Sequence, residues 1–262
     1  MNFDYEKFLK KERKKRKNLK NLYLNQKEVK RYWQDLGEHR MGEESFNQWA
    51  KKLLYDHTWQ TNMEAIIEYG QIRDKEKILD VGCGWGRILV GLKKFFPHSL
   101  IWGIDIVPNF LKKAQEIIEK EIGNDKNCFL MTGDINQLKF EDDFFDKVIS
   151  IRVLQYVPDP VKSLKELKRV TKNGGRVIIT LPNKWNIRQI FKYHTKLYSP
   201  NEVYSWFKKN NFSEIKIGTI RFLPRFQHKI SGQSKIRIIE KICAQIPLIN
   251  KLGGVIIASG KK

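Results

Sequence analysis

The chain has 262 residues, enough for one large α/β domain with additions or for two small domains. A hydrophobic content of 41% is sufficient to build a core, and the net charge of +21 favours anionic partners. The three cysteines lie far apart with no CxxC spacing, which excludes a disulfide framework and indicates a reducing compartment.

The positive charge is concentrated outside the centre of the chain. Residues 182–262 hold 16 Lys or Arg and 3 Asp or Glu, whereas residues 61–181 hold 19 and 17. Residues 1–21 are charged and lack the apolar core of a secretion signal, and no apolar run reaches membrane-spanning length. We therefore expect a cytoplasmic protein without a transmembrane segment, with peripheral contact to the inner membrane face left open.

The sequence pattern indicates that the first 70 residues form a separate region. Residues 1–36 resemble one long polar helix or an arm, and the basic run from Lys7 to Lys20 is typical of a solvated face. Residues 45–70 carry two apolar helical faces, and Gly70 is expected to end the second helix as its C′ residue. We predict that residues 1–70 form a helical arm and lid, and residues 71–262 the main domain.

The stretch from Lys77 to Leu92, KILDVGCGWGRILVGL, joins a strand to an amphipathic helix through a glycine-rich turn. Glycines let the backbone turn sharply and let a ligand come close, and the N–H groups at the helix start suit an electron-rich ligand. The spacing Gly82-x-Gly84-x-Gly86 differs from the G-x-G-x-x-G dinucleotide fingerprint.

The segment DVGCGWGR resembles the first motif of the class I S-adenosylmethionine (SAM)-dependent methyltransferases. The resemblance implies that the amino-acid end of SAM is held by Asp80 and the glycine loop, Gly82, Cys83, Gly84 and Gly86. Strand and helix patterns alternate after this motif, which predicts a parallel sheet with helices on both faces. The predicted strands are Lys77–Val81, Leu100–Ile104, Cys128–Met131, Lys147–Ile151, Arg176–Leu181, Phe212–Ile220 and Gly254–Ser259. The family fold implied is a Rossmann-like, seven-stranded, mostly parallel sheet whose last strand is antiparallel, with an N-terminal helical lid and inserted helices.

The remaining cofactor contacts follow the next strands. Asp105 ends the second strand, where a carboxylate can accept hydrogen bonds from the two ribose hydroxyls, with Ile106 beside it. By the resemblance, the run Gly133-Asp134-Ile135 after the third strand contacts the adenine. Arg152, at the end of the fourth strand, is expected close to the cofactor.

The acceptor side is less well defined. The chain lacks the D/N-P-P-Y/F motif of amide and exocyclic-amine methyltransferases and resembles the small-molecule branch with its V-L-x-H run, Tyr156 standing where that branch often has His. An oxygen acceptor would need a general base, and the candidates are His57, Tyr156, His194 and Tyr198. The five histidines have no metal-ligand spacing, so no metal is expected.

Two insertions are predicted, at about residues 183–198 and 221–252. In the second, Ile236, Ile239, Ile242 and Ile246 recur at helical spacing. This amphipathic helix could pack in the core, cap the substrate pocket or lie on an anionic membrane face.

The resemblance implies an enzyme that uses SAM, releases S-adenosylhomocysteine and transfers the methyl group by direct displacement. The first hypothesis is a small-molecule or lipid-linked acceptor, expected to be anionic. The alternatives are an RNA methyltransferase that grips phosphates with its basic flanks and a non-catalytic SAM-binding regulator.

Overall fold

The structure is a computed structural model that describes residues 57–186, 196–222 and 249–262, together with residues 31, 238–239, 242–243 and 245–246. The strands are β1 Lys77–Val81, β2 Leu100–Asp105, β3 Cys128–Thr132, β4 Phe145–Ile151, β5 Thr171–Pro182, β6 Ser213–Ile220 and β7 Val255–Lys261. The helices are α1 His57–Gly70, α2 Arg87–Phe95, α3 Pro108–Ile122, α4 Pro160–Val170 and α5 Pro200–Lys209.

The strands form one sheet in the order β3-β2-β1-β4-β5-β7-β6. Strands β1 to β5 pair in parallel, and β7 runs antiparallel between β5 and β6. The predicted seven-stranded, mostly parallel sheet is therefore confirmed. Because β1 and β4 are neighbours while β2 and β3 lie on the other side of β1, the chain reverses direction across the sheet at β1, where open α/β folds bind ligands.

Helices cover both faces of the sheet. Successive side chains of each strand point alternately to one face and to the other, so both faces carry apolar side chains. One core packs α1, α2 and α3 against residues such as Ile78 and Ile178, and the other packs α4 and α5 against Leu79 and Val177. The parallel strands are buried on both faces and read as nearly continuous apolar runs, as this class of sheet requires.

Helix α1 belongs to the first of these cores. Met63 and Ile66 are fully buried against residues of β5 and β7, such as Ile178 and Ile257. Residues 57–70 therefore cover the sheet in the manner of an ordinary packed helix. The function of residues 1–70 as an arm and lid stays a prediction, and residues 1–30 and 32–56 lie outside the described part of the chain.

Two local expectations need correction. Gly70 is the last residue of α1 rather than its C′ residue, and the left-handed backbone falls on Gln71, with φ 49°. The glycine is needed for space, since a Cβ there would lie 2.8 Å from Cγ1 of Ile72. The fifth strand begins before its predicted start at Arg176, because β5 runs from Thr171 and pairs with β4 before and after Gly174 and Gly175.

Helix α5 is capped at its N-terminus by Ser199 and Glu202. The Ser199 hydroxyl accepts from the backbone N–H of Glu202, and the Glu202 carboxylate accepts from the backbone N–H of Ser199, which is a complete capping box. None of the helices in the described ranges combines enough length with enough apolarity to cross a lipid bilayer.

Candidate cofactor and active site

A bend of three left-handed glycines connects β1 to α2. Gly82, Gly84 and Gly86 have φ of 78°, 54° and 76°, which side-chain-bearing residues rarely adopt. The N–H groups of Gly82 and Cys83 both donate to the Ile104 carbonyl, at 2.7 and 2.9 Å, and so tie the bend to β2. A Cβ on Gly82 would lie 2.3 Å from Cγ2 of Val153, whereas a Cβ on Gly84 would meet no atom within 4 Å. The bend is therefore packed against Val153, just after β4, on one side and open at Gly84.

Asp80 is the second-last residue of β1 and lies just before this bend. Its carboxylate is 1% exposed, and neither oxygen finds a hydrogen-bond partner within the described chain. Burial raises the pKa of Asp80 to about 8; the negative charge of Asp105 acts in the same direction, and Arg87 opposes both. An unpaired buried carboxylate is costly, so its presence in this position indicates a cationic or donor ligand.

Asp105 connects the end of β2 to the glycine bend. Its Oδ2 accepts from the Gly84 N–H at 2.9 Å, and its Oδ1 accepts from the Val107 N–H at 3.0 Å. Burial raises the pKa of this carboxyl, while these backbone donors lower it. A carboxylate has about four acceptor positions, so each oxygen keeps capacity for a ligand hydroxyl.

The end of β3 adjoins that of β2. Gly133 donates its N–H to the Asp105 carbonyl at 3.0 Å. Asp134 holds a tight turn in which its Oδ1 accepts from the backbone N–H and the side-chain amide of Asn136, at 2.9 and 3.0 Å. Ile135 is buried, and Ile106 is half-buried beside Asp105. The fold thus brings the predicted contacts together along three adjacent strand ends.

Cys83 contributes its backbone to this site and its side chain to the core. The thiol is buried, and its Sγ lies 3.0 Å from the position that a Cβ on Gly103 would take. Burial raises the pKa of this thiol well above its usual range. Because the thiolate is the nucleophilic form, Cys83 is an unreactive packing residue.

The other side of the site is formed by the end of β4. Arg152 has a left-handed φ of 64° and donates its N–H to the Thr180 carbonyl. Its Nε donates to Oε1 of Gln155 at 3.3 Å, in the short 3-10 turn Leu154–Tyr156. Gln155 is 1% exposed, and its Nε2 has no partner among the described residues. Backbone strain and an unpaired buried donor coincide here, which is typical of a functional site.

The structure describes the side chains of two of the four candidate bases, Tyr156 and Tyr198. Tyr156 is half-buried in the turn after β4. Tyr198 is buried in the core, where its ring contacts that of Trp206 edge to face at 4.9 Å. His57 is the first residue of α1, but its side chain lies outside the described residues, as does all of His194. Their catalytic roles stay predictions.

Gln155 is the residue that sequence reasoning undervalued. The V-L-x-H comparison draws attention to Tyr156 and assigns no role to Gln155. The only signal in the sequence is a polar amide residue between Leu154 and Tyr156. In the structure Leu154 is fully buried and Tyr156 is half-buried. The missing partner of Nε2 is visible only in three dimensions.

The residues present fit SAM. Its protonated amino group would match the unpaired carboxylate of Asp80, and its ribose hydroxyls the remaining acceptor capacity of Asp105. The open space at Gly84 allows a ligand to approach the backbone. Within the described residues, no group of three or more His, Cys, Asp or Glu could hold a metal ion.

The chain belongs to a family of methyltransferase domains, whose family model matches residues 72–236. The resemblance to class I SAM-dependent methyltransferases is thereby confirmed. The structure of phosphoethanolamine N-methyltransferase 2 from Haemonchus contortus is similar, with a TM-score of 0.62 and 19% identity. The similarity covers 87% of this chain and 59% of that chain. A putative methyltransferase from Haloferax volcanii, solved with the Trm112 activator, gives a TM-score of 0.60 at 19% identity over 83% of this chain and 96% of that chain. At these identities the similarity concerns the fold.

Sequence relatives are named as methyltransferases with different acceptors. An uncharacterized methyltransferase of Schizosaccharomyces pombe is 40% identical over 46% of this chain and 45% of its own length. A 2-methyl-6-phytyl-1,4-hydroquinone methyltransferase of rice is 31% identical over 64% of this chain and 50% of its own. A sterol 4-C-methyltransferase of Caenorhabditis elegans is 32% identical over 44% of this chain and 33% of its own. The chain thus spans half or less of the length of these curated relatives.

Proposed function

We propose that this protein is a SAM-dependent methyltransferase that acts on a small, lipid-linked acceptor. The observation that carries the SAM assignment is the buried, unpaired carboxylate of Asp80 beneath the open glycine bend. The acceptor class is supported by the relatives, whose names specify a phytylated hydroquinone and a sterol. Residues 182–262 carry 16 basic and 3 acidic residues, which favours an anionic acceptor or an anionic surface around it.

Each residue of the site has a distinct task in this proposal. Asp80 binds the amino group of the cofactor, Asp105 orients the ribose, and Asp134 and Ile135 face the adenine. SAM, when bound, supplies a methyl group on a sulfonium, which is a strong leaving group. The protein then mainly has to align the acceptor and exclude water, and such alignment can contribute about 7–11 kcal/mol to lowering a barrier.

The end of β4 is the place for the acceptor. Gln155 has a buried amide donor to offer to an acceptor oxygen, and Arg152 can bind an anionic group beside it. Tyr156 is the nearest candidate base in sequence to these two residues. His57 and His194 keep their proposed roles as alternative bases for a hydroxyl acceptor, and Tyr198, buried against Trp206, is the weakest of the four.

The test is to incubate the purified protein with SAM labelled in its methyl group and a cell extract, then to separate lipids, RNA and small polar molecules. Label in the lipid fraction is expected. The control is Asp143→Asn, which changes an exposed carboxylate at φ 58°, a conformation that Asn adopts readily. This control should transfer as much label as the wild type. Asp80→Asn should transfer less.

Label confined to RNA would replace this proposal by the RNA methyltransferase. SAM binding in calorimetry without label in any fraction would favour the non-catalytic regulator. A lipid-linked acceptor would also bring the protein to a membrane surface.

A further inference from the structure

Six aliphatic side chains after β6 are exposed together. Ile238, Ile239, Ile242, Ile246, Ile249 and Leu252 are between 38% and 57% exposed. We call these six residues the isoleucine surface. Scattered exposed apolar residues are normal, but a contiguous group of them marks an interaction site.

Helical spacing places four of these residues, Ile238, Ile239, Ile242 and Ile246, on one face. Residues 238–239, 242–243 and 245 are helical, the Ile246 N–H donates to the Ile242 carbonyl at 3.2 Å, and the Asn250 N–H donates to the Ile246 carbonyl at 2.9 Å. At about 100° per residue, Ile238, Ile242, Ile246 and Ile239 fall within an arc of about 100°. Three of the four residues of the predicted amphipathic stripe, Ile239, Ile242 and Ile246, are exposed, whereas Ile236 lies outside the described residues. These three side chains do not pack in the core.

The isoleucine surface is anchored to the edge of the sheet that carries the cofactor site. Asn183, directly after β5, donates its side-chain amide to the carbonyls of Lys251 and Gly253, both at 2.7 Å. Thr219, near the end of β6, donates its hydroxyl to the Asn250 carbonyl at 2.5 Å. Since β5 and β1 run in the same direction, the carboxyl ends of both strands lie at one edge of the sheet.

The sequence segment that carries the isoleucine surface is rich in basic residues. Between residues 221 and 252 the sequence has seven Lys or Arg and one Glu. Lys251 within this segment and Lys196 near Asn183 are both exposed. An apolar helical face with basic surroundings is the combination that binds at the interface of an anionic bilayer.

We propose that the isoleucine surface docks the protein on an anionic lipid bilayer, with the carboxyl edge of the sheet facing the lipid. The docking would place the end of β4 next to acceptors dissolved in the bilayer. Only this consequence rests on the proposed function; the docking itself requires neither SAM nor an acceptor.

The test is co-sedimentation of the full chain with vesicles of phosphatidylcholine alone or with about one-third phosphatidylglycerol. The variant Ile242→Ser/Ile246→Ser removes two members of the surface, and Ile238→Ser/Ile239→Ser removes two others. The control is Phe95→Ser at the end of α2, a large apolar side chain that is 53% exposed and lies outside the isoleucine surface. Calorimetric SAM binding checks that each variant is folded.

We expect the wild type and Phe95→Ser to bind the anionic vesicles, and both double variants to bind at least tenfold more weakly. Binding should also weaken as salt rises from about 0.1 M to about 1 M, because the Debye length falls from about 10 to about 3 Å. Equal binding by the double variants, or equal binding to neutral vesicles, would overturn the proposal. So would a dimer in light scattering that the double variants dissociate without any vesicle binding, since the surface would then join two copies. Failure of methyl transfer with intact vesicle binding would affect the proposed function alone.

Discussion

Asp80 combines full burial with a carboxylate that has no partner in the described chain, and its pKa is raised to about 8. In the free protein near neutral pH this carboxyl is therefore largely protonated. A cationic amino group stabilises the ionised form, so cofactor binding should expel the proton.

We predict that SAM binding near pH 7 releases up to about one proton, and that the release fades above about pH 9. The measurement is calorimetry in buffers with different ionisation enthalpies. Asp80→Asn should abolish the release and weaken SAM binding at least about tenfold, because a hydrogen bond to a charged group is lost. Proton release that persists in Asp80→Asn would assign it to another group, and Asp143→Asn serves as the unaffected control.

Gln155 allows a second prediction at this scale, because its Nε2 is buried and finds no partner in the described part of the chain. Met removes this unsatisfied donor at a similar side-chain volume, which offsets the lost hydrogen bond from Nε of Arg152 to Oε1 of Gln155. We expect Gln155→Met to keep or raise the free energy of unfolding in urea, while kcat/KM for the acceptor falls at least about tenfold. SAM affinity should stay within about twofold. A destabilised Gln155→Met with unchanged turnover would make Gln155 a structural residue.

At the scale of elements, the chain after α2 is fixed by a buried lysine. Nζ of Lys93 contacts Oδ2 of Asp125 at 2.8 Å and donates to the carbonyls of Pro97 and Ser99 at 2.7 and 3.0 Å. These contacts hold the turn into β2 and the loop before β3 to one side chain. The neighbouring Lys94 is exposed and pairs with Glu121 at 2.7 Å, which provides a matched comparison.

We predict that Lys93→Met lowers the free energy of unfolding by about 2–3 kcal/mol, because it leaves two carbonyls and the half-buried carboxylate of Asp125 without their donor. Lys94→Met should cost about 0–1 kcal/mol, as exposed ion pairs do. Urea unfolding of both variants is the measurement. Similar losses for the two would mean that the contacts of Lys93 contribute no more than a surface pair.

At the scale of the whole molecule, stability should depend on pH in two windows. Asp125, Glu166 and Glu202 have lowered pKa values: hydrogen bonds and ion pairs with Lys93, Arg169, Ser199 and Lys184 outweigh the desolvation that opposes them. A lowered native pKa gives stability that is lost as the pH falls through it, so these groups act below about pH 4. Asp80 acts in the opposite sense, since its native pKa lies above its unfolded one.

Between about pH 4 and about pH 8 the native state holds the Asp80 proton more tightly than the unfolded chain does. We therefore expect this group to lower the free energy of unfolding of the free protein as the pH rises across this window. Saturating SAM should make this decline in the free energy of unfolding less steep. Asp80→Asn should remove the part of the decline that Asp80 causes. Urea unfolding at several pH values with and without SAM is the measurement; an Asp80→Asn curve parallel to the wild type would refute the assignment.

The sequence by itself determined the order of elements and most of the strand bounds. Local signals were sufficient there: the apolar run before Asp80, the glycines after it, and the Ser199 and Glu202 pair that caps α5. The strand ends that carry Asp105 and Asp134 were also predictable, because in a parallel sheet every carboxyl end reaches the same edge.

Only the tertiary structure decided which of these carboxylates have hydrogen-bond partners. Within the described residues Asp80 has no hydrogen-bond partner and Asp105 has two backbone donors, although both are acids at neighbouring strand ends. The direction of the isoleucine stripe was likewise open, because helical spacing defines an apolar face but not what covers it. Burial and hydrogen-bond partners depend on segments distant in the chain, such as Asn183 and Thr219 holding residues 250–253, and no local pattern records those contacts.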